Sequence, residues 1–378
     1  MRILLASKSA LDPRFGAPQT YLALGAELER RGHAVDYVDP PSLGTDEAGF
    51  GERLYAHLRR HAGDYDVVDY DYQTFRFRRD AFPPDVVLVA RIQLLEAGLL
   101  GLRMPPLPRL RSRVGHVLFH RRRQAHHAAV ARADDAALAH SDLILALNTR
   151  DRACLVERGH DAEKIVVIAN GLGPAAAAPL MALPAEVPEG PPRVAFIGMF
   201  GPRKGAGDFP RLLRRLAEQV PDVRLRLLGT RGMLKTAEEV ERLFPRRLRA
   251  RVEVFPRYWP EELAGLLAPC WAGVFPSYHE GFMLAILEML AAALPVVAYD
   301  APGACDVLPP GRLVPRGDAD ALADRLAVLL NDPTRLAEAR RAAREAAHAY
   351  RWPEVAARTE AAYEAARVRL GARVGAVS

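Results

Sequence analysis

Two carboxylates stand eight residues apart, Glu280 and Glu288, in the segment PSYHEGFMLAILEMLAAALPVVAYD at 276–300. Glu288 interrupts an otherwise apolar run from Phe282 to Ala298. An ionised carboxylate in such surroundings costs several kcal/mol unless it is paired or hydrogen-bonded. Glu288 therefore calls for a partner, either an arginine of the chain or a ligand. Residues from about Phe282 to Ala293 read as a helix, apolar nearly all round and so buried. Eight residues of helical rise set the two carboxylates roughly 12 Å apart along the axis. That is the span of a sugar–diphosphate–ribose unit lying across a helix N-terminus, where free N–H groups and the dipole attract anions. Glu280 would hold one end of such a ligand, the helix start its phosphates, and Glu288 its ribose hydroxyls. The plainer readings are a helix cap for Glu280 and a structural ion pair for Glu288.

Loops that follow strands hold the other residues with chemistry. After the apolar run Val194–Ile197 comes Gly198-Met199-Phe200-Gly201-Pro202-Arg203-Lys204-Gly205. Its glycines let the backbone turn tightly, and Arg203 and Lys204 put cations where phosphates would lie. The spacing is not that of a Walker A loop. Gly229 opens a second glycine loop, Gly229-Thr230-Arg231-Gly232, and Gly16 precedes the first helix. Taken singly, each is also an ordinary turn.

The elements that must position these residues alternate. Strands read at 2–6, 34–38, 66–69, 86–90, 143–147 and 165–168, with helices between several of them. A Pro- and Ala-rich stretch follows, read as a linker at 173–192, and the alternation restarts at Val194. This pattern predicts an α/β protein of two Rossmann-like, doubly wound domains facing across a cleft. The domains span 1–172 and 193–350, and a last helix and tail at 351–378 pack back towards the first domain.

The chain has 378 residues, more than one core ordinarily holds, and a formal charge of +6. Only four residues are lysine, so Lys204 stands out among the arginines. Three scattered cysteines without a C-x-x-C pair argue for a reducing compartment and against a zinc site. No run of about twenty apolar residues lacks a charge. The expected location is cytoplasmic, with peripheral contact at the inner membrane face as the further expectation. That contact rests on 103–123, which carry seven arginines and no acid and suit an anionic surface. A solvated basic face is the plainer reading. Dispersed basic residues without interleaved aromatics argue against nucleic acid.

Residues 194–205, 228–232 and 273–304 together resemble a retaining glycosyltransferase of the GT-B fold, in the family 4 (group 1) set. Glu280 to Glu288 matches that family's E-x7-E element, and the likeness extends along essentially the whole chain. The resemblance implies a nucleotide-sugar donor in the C-terminal domain and an acceptor, of unknown kind, in the N-terminal one. It implies Arg203 and Lys204 on the diphosphate and Glu280 at the donor sugar, these three being the catalytic candidates. Glu288 would bind ribose, the N–H groups of Gly281 and Phe282 the phosphates, and Gly229 and Tyr258 would lie by the base, with Gly16 and Gly198 also on the donor side. Gln93 and His120 are the acceptor-side candidates. No metal and no cofactor are expected, because the cations and helix N–H groups take the metal's place. Met199 stands where many relatives carry Arg, and Gln93 where many carry His. A nucleotide-sugar epimerase on the same fold, or a non-catalytic nucleotide-binding homologue, are the alternatives.

Overall fold

A computed structural model describes residues 1–12, 16–74, 76–105, 107 and 113–375. Residues 106 and 108–112 and the side chains of 113–120, His120 among them, lie outside the described residues, and with them most side chains of the arginine-rich 103–123 segment. The chain forms two compact units. The first comprises 1–100, 125–173 and 351–378, and the second 101–124 and 174–350.

The first unit contains β1 (Arg2–Ala6), α1 (Gly16–Arg30), β2 (Ala34–Val38), α2 (Phe50–His61), β3 (Val67–Asp71) and β4 (Val87–Arg91). It continues through the part of the long helix α3 (Arg113–Leu138) that follows residue 124, then β5 (Leu143–Ala146), α4 (Thr149–Glu157) and β6 (Ile165–Val167). All strands are parallel, in the order β2-β1-β3-β4-β5-β6. A parallel sheet covered on both faces is built from apolar runs. Here Phe50, Leu54 and Leu58 of α2 with Ala131 and Leu138 of α3 cover one face. Tyr21, Leu24 and Leu28 of α1 cover the other.

In the second unit α5 (Pro174–Met181) is followed by β7 (Arg193–Ile197), α6 (Phe209–Gln219), β8 (Arg224–Leu228), α7 (Ala237–Glu241), β9 (Val252–Phe255) and α8 (Leu263–Leu267). Next come β10 (Ala272–Phe275), α9 (Leu284–Ala291), β11 (Val296–Tyr299), α10 (Ala304–Val307), β12 (Leu313–Val314), α11 (Ala319–Leu330) and α12 (Pro333–Ala347). The sheet order is β12-β11-β10-β7-β8-β9, again all parallel. The last helix, α13 (Trp352–Gly375), returns to the first unit, where Trp352, Val355 and Tyr363 pack on the α1 face of the sheet.

Two readings of the sequence differ from this structure. The buried helix runs Leu284–Ala291 and not 282–293, because residues 280–283 are irregular, so helical rise does not measure the spacing of Glu280 and Glu288. The stretch read as a linker carries α5, and its next residues are fastened within the second unit. Buried Arg340 donates to the carbonyls of Pro184, Ala185, Cys270 and Trp271, and Arg344 to those of Met181 and Leu183. Carbonyl acceptors take the place of a carboxylate for these guanidinium groups. No helix among the described residues is long and apolar enough to cross a membrane.

Candidate functional site

In open parallel sheets ligands gather beyond the strand C-termini where the strand order reverses. In the second unit β7, β8 and β9 step outward one way, and the chain then crosses to β10 on the other side of β7. The reversal lies between β7 and β10. The loop after β7 carries Gly198, Met199, Arg203 and Lys204, and the loop after β10 carries Ser277, Glu280 and Gly281.

An aromatic floor holds the first of these loops. Phe196 packs on Phe209 at 5.0 Å between ring centroids, and Phe200 on Phe209 at 5.2 Å. Residues 202–204 form a single 3-10 turn closed by Gly205 at φ 75°. The backbone there touches the neighbouring loop so closely that a Cβ on Gly205 would stand 2.1 Å from the Pro276 carbonyl oxygen. This contact places Arg203 and Lys204 against Glu280.

Glu280 is buried, at 6% exposure. One carboxylate oxygen, Oε1, accepts from Arg203 Nη1 at 2.7 Å, Lys204 Nζ at 2.9 Å and Ser277 Oγ at 2.5 Å. Burial alone would raise its pKa, but Lys204, Arg203 and Ser277 more than offset that and hold the carboxyl at about 2. Arg203 Nη1 also donates to the His279 carbonyl at 2.8 Å. Lys204 lies 4.8 Å from the centroid of the Phe275 ring, and burial pulls its pKa down against the pull of Glu280.

Glu288, on α9, is the opposite case. Its carboxylate is half-buried and has no ion-pair or hydrogen-bond partner among the described residues. Burial pushes it up to about 7, with Lys204 opposing. Burial and the Glu288 charge both push the Tyr258 hydroxyl upward. The Tyr258 ring also lies 3.2 Å from where a Cβ on Gly229 would be, and Gly229 has φ 70°. Gly198, Arg203, Lys204 and Glu280 thus lie together, a Cβ on Gly229 would stand 3.9 Å from the Gly198 nitrogen, and the Glu288 charge acts on Lys204 as well as on Tyr258. Met199 is 57% exposed and lies across Gly232, where only a missing Cβ leaves room for its side chain. Gly281 and Phe282 precede α9 without belonging to it, and Phe282 stacks at 6.0 Å on Tyr350. Gly16, the first residue of α1, and half-buried Gln93, after β4, belong to the first unit. Sequence reasoning missed Ser277 and the Gly205–Pro276 contact. The signal for the former was a serine three residues before Glu280. Among the described residues no group of three or more His, Cys, Asp and Glu is placed to hold a metal ion.

A carboxyl whose folded pKa is raised stabilises the protein fully below its unfolded value, here 4.5, and that contribution disappears as pH rises through about 7. The shift is worth about 3 kcal/mol unscreened, and about 1–2 kcal/mol for a half-buried side chain. Glu288→Gln is therefore expected to stabilise the unliganded protein at pH 8 and to leave it unchanged near pH 4. Urea unfolding at both values checks this, and an equal effect at the two would count against it.

Residues 184–349 match the family model described as glycosyl transferases group 1. A GDP-mannose-dependent α-mannosyltransferase of Mycobacterium tuberculosis is 27% identical over 98% of both chains. The MMP α-(1→4)-mannosyltransferase of Mycolicibacterium hassiacum is 38% identical over 30% of this chain and 28% of its own. The first curated relatives are matched over only 28%, 45% and 62% of their own lengths. In structure, Anabaena HepE in complex with UDP-glucose superposes with a TM-score of 0.62 at 17% identity, covering all of both chains. Residues 184–349, less than half of the chain, thus resemble the group 1 glycosyl transferases, and the chain has the GT-B fold of two Rossmann-like units.

Proposed function

We propose that this chain transfers a sugar, with retention at the anomeric carbon and without a metal ion, from a nucleotide-diphosphate sugar to a hydroxyl acceptor. The observation that carries the reading is the placement of Arg203, Lys204 and Glu280 at the β7/β10 reversal, with an unpaired Glu288 nearby. The family match and the UDP-glucose bound to Anabaena HepE support it. In the reaction the bond from the anomeric carbon to the diphosphate breaks as the acceptor oxygen bonds to the same face. The acceptor proton passes to the departing phosphate oxygen. Arg203 and Lys204 neutralise the charge that develops on the leaving group, and Glu280 fixes both cations so that they need not reorganise. Glu288 accepts from ribose hydroxyls, which supply the donors its carboxylate lacks.

Thermal unfolding with UDP, GDP, ADP and their common sugars tests the donor site. A ligand at a hundred times its Kd adds about 2.7 kcal/mol. One nucleotide should stabilise the wild type, and Glu288→Ala and Lys204→Ala should each remove the effect while remaining folded. No stabilisation at millimolar nucleotide would defeat the reading. Turnover should need an acceptor and should survive excess chelator. Donor conversion without acceptor would point instead to an epimerase.

A further inference from the structure

Two strands of the second unit begin with arginine. Arg193 and Arg224 open β7 and β8 and stand opposite each other in register, and Arg226 stands opposite Glu253 of β9. Residues two apart on a strand share a face, so all four side chains leave the sheet on one side. They gather at the end where the strands start. Gly198 and the donor loop follow the other end of β7, roughly 16 Å away at about 3.3 Å per residue.

One carboxylate serves these cations. Glu253 Oε1 accepts from Arg193 Nε at 3.1 Å, and Oε2 from Arg226 Nε at 2.7 Å and Nη2 at 2.6 Å. Burial would raise its pKa, but Arg226 and Arg193 more than offset that and hold it below the usual carboxylate range. Arg226 Nη1 is taken by the Leu266 carbonyl at 2.8 Å. Arg224 is left 3.7 Å from an oxygen that Arg193 already holds, too far for a hydrogen bond, and its side chain is 44% exposed.

Beside it lies a groove of about 560 Å³, lined by Pro191, Pro192, Asp222, Arg224, Ala250 and Arg251. Small-ligand pockets span roughly 300–1,000 Å³. Arg251 is held there by backbone: its Nη1 donates to the carbonyls of Pro221 and, at 3.4 Å, Val223, and no carboxylate pairs with it among the described residues. Arg193 Nη1 comes within 3.9 Å of where a Cβ on Gly190, a further lining residue, would be. Residues 246–251, which lead into β9, add Arg246, Arg247 and Arg249 and no acid. The neighbouring acids are Asp222 in the lining and Glu189 before Gly190, both exposed.

Arg193, Arg224, Arg226 and Arg251 thus face Glu253 and Asp222, which leaves two positive charges over. Like charges held together repel, and a dianion relieves them. Guanidinium forks match phosphate oxygens in pairs. Among the lining residues no aromatic ring offers a nucleobase a stacking face.

We infer that this groove is a phosphate-binding site, separate from the donor site, with Arg224 and Arg251 as the ligating side chains and Arg193 beside them. Its ligand is a phosphate dianion, carried by a free phosphorylated compound or by a lipid headgroup. The site does not depend on the transfer proposed above.

Calorimetric titration of the full chain with inorganic phosphate, at ionic strength fixed with chloride, tests it. The Kd should be roughly millimolar. Arg224→Gln and Arg251→Gln should each weaken binding about tenfold, the loss of a hydrogen bond to a charged group, while Lys204→Ala at the donor site leaves it unchanged. The Arg224 side chain makes no hydrogen bond among the described residues, so its variant remains informative if Arg251→Gln does not fold. Phosphatidylglycerol vesicles separate the two sources. Retention on them that Arg224→Gln abolishes makes the phosphate a lipid's. Phosphate binding weakened in that variant, with vesicle retention absent or unaffected, makes it a free compound's. Phosphate binding equal in wild type and both arginine variants, or lost in Lys204→Ala instead, would overturn the inference. So would the absence of both phosphate binding and vesicle retention that depends on Arg224.

Discussion

Glu280→Gln is expected to destabilise the protein by about 3–5 kcal/mol at pH 7, the range for removing one partner of a buried pair, and to slow transfer by about a hundredfold or more. Glu280 anchors Arg203 and Lys204 through a single oxygen, so its loss leaves a buried ammonium without a counter-charge. Its pH dependence is opposite to that of Glu288. A folded pKa of about 2 against 4.5 gives stability that is full above 4.5 and is lost as pH falls through about 2. The gap between wild type and Glu280→Gln should therefore close in acid. Lys204→Met is expected to be destabilising as well, and the double variant to lose less than the sum of the two by about 1 kcal/mol or more. Urea unfolding of the four proteins measures that coupling. Strictly additive losses would mean that the two side chains do not act as a pair. Transfer should stay lost in the double variant, since restoring stability does not restore a cation to the leaving phosphate.

A second large effect is expected from one methyl group. Gly205→Ala puts a Cβ 2.1 Å from the Pro276 carbonyl oxygen and 2.8 Å from the Pro276 Cβ, at a φ of 75°. Neither contact is the end of a flexible side chain, so the two loops must separate. The left-handed backbone costs an alanine about 1–2 kcal/mol and the overpacking about 1–3 kcal/mol more. Separation of these loops also draws Arg203 and Lys204 away from Glu280, so nucleotide stabilisation should fall with protein stability. Gly201→Ala, in the same loop, is the control. Its φ is −138°, and nothing lies within 4 Å of the added atom, so a change within about 0.5 kcal/mol is expected. Equal losses from the two substitutions would show that the loop tolerates no side chain anywhere and that the Pro276 contact is not the cause.

Much of this architecture could be read from the chain because parallel strands covered on both faces are nearly continuous apolar runs, as at Val87–Arg91 and Val194–Ile197. What could not be read was which distant groups meet. The need for a partner was assigned to Glu288 on the strength of its apolar neighbours, yet it is Glu280 that the cations hold. Only the sheet order, which sets β7 beside β10, brings Arg203 and Lys204 to it. Asp69 and Asp71 give the sequence YDVVDYD a half-exposed look, but the strand is buried throughout. Arg91 from the neighbouring strand and the Tyr363 hydroxyl from α13, at 2.5 Å, satisfy Asp69. The start of α9 was placed two residues early because Phe282 and Met283 are apolar, although nothing in the segment caps a helix there.

The return of α13 to the first unit bears on the order in which a nascent chain becomes native. Almost all of the second unit has left the ribosome by Tyr350, whereas the sheet of the first stays bare on part of one face until Trp352, Val355 and Tyr363 emerge. Until then Asp69 lacks the Tyr363 hydroxyl and the carbonyl of Leu172 lacks the indole N–H of Trp352. Segments generally fold as units while they are made, the earlier before the later. In this chain the half that is synthesised first is the half completed last.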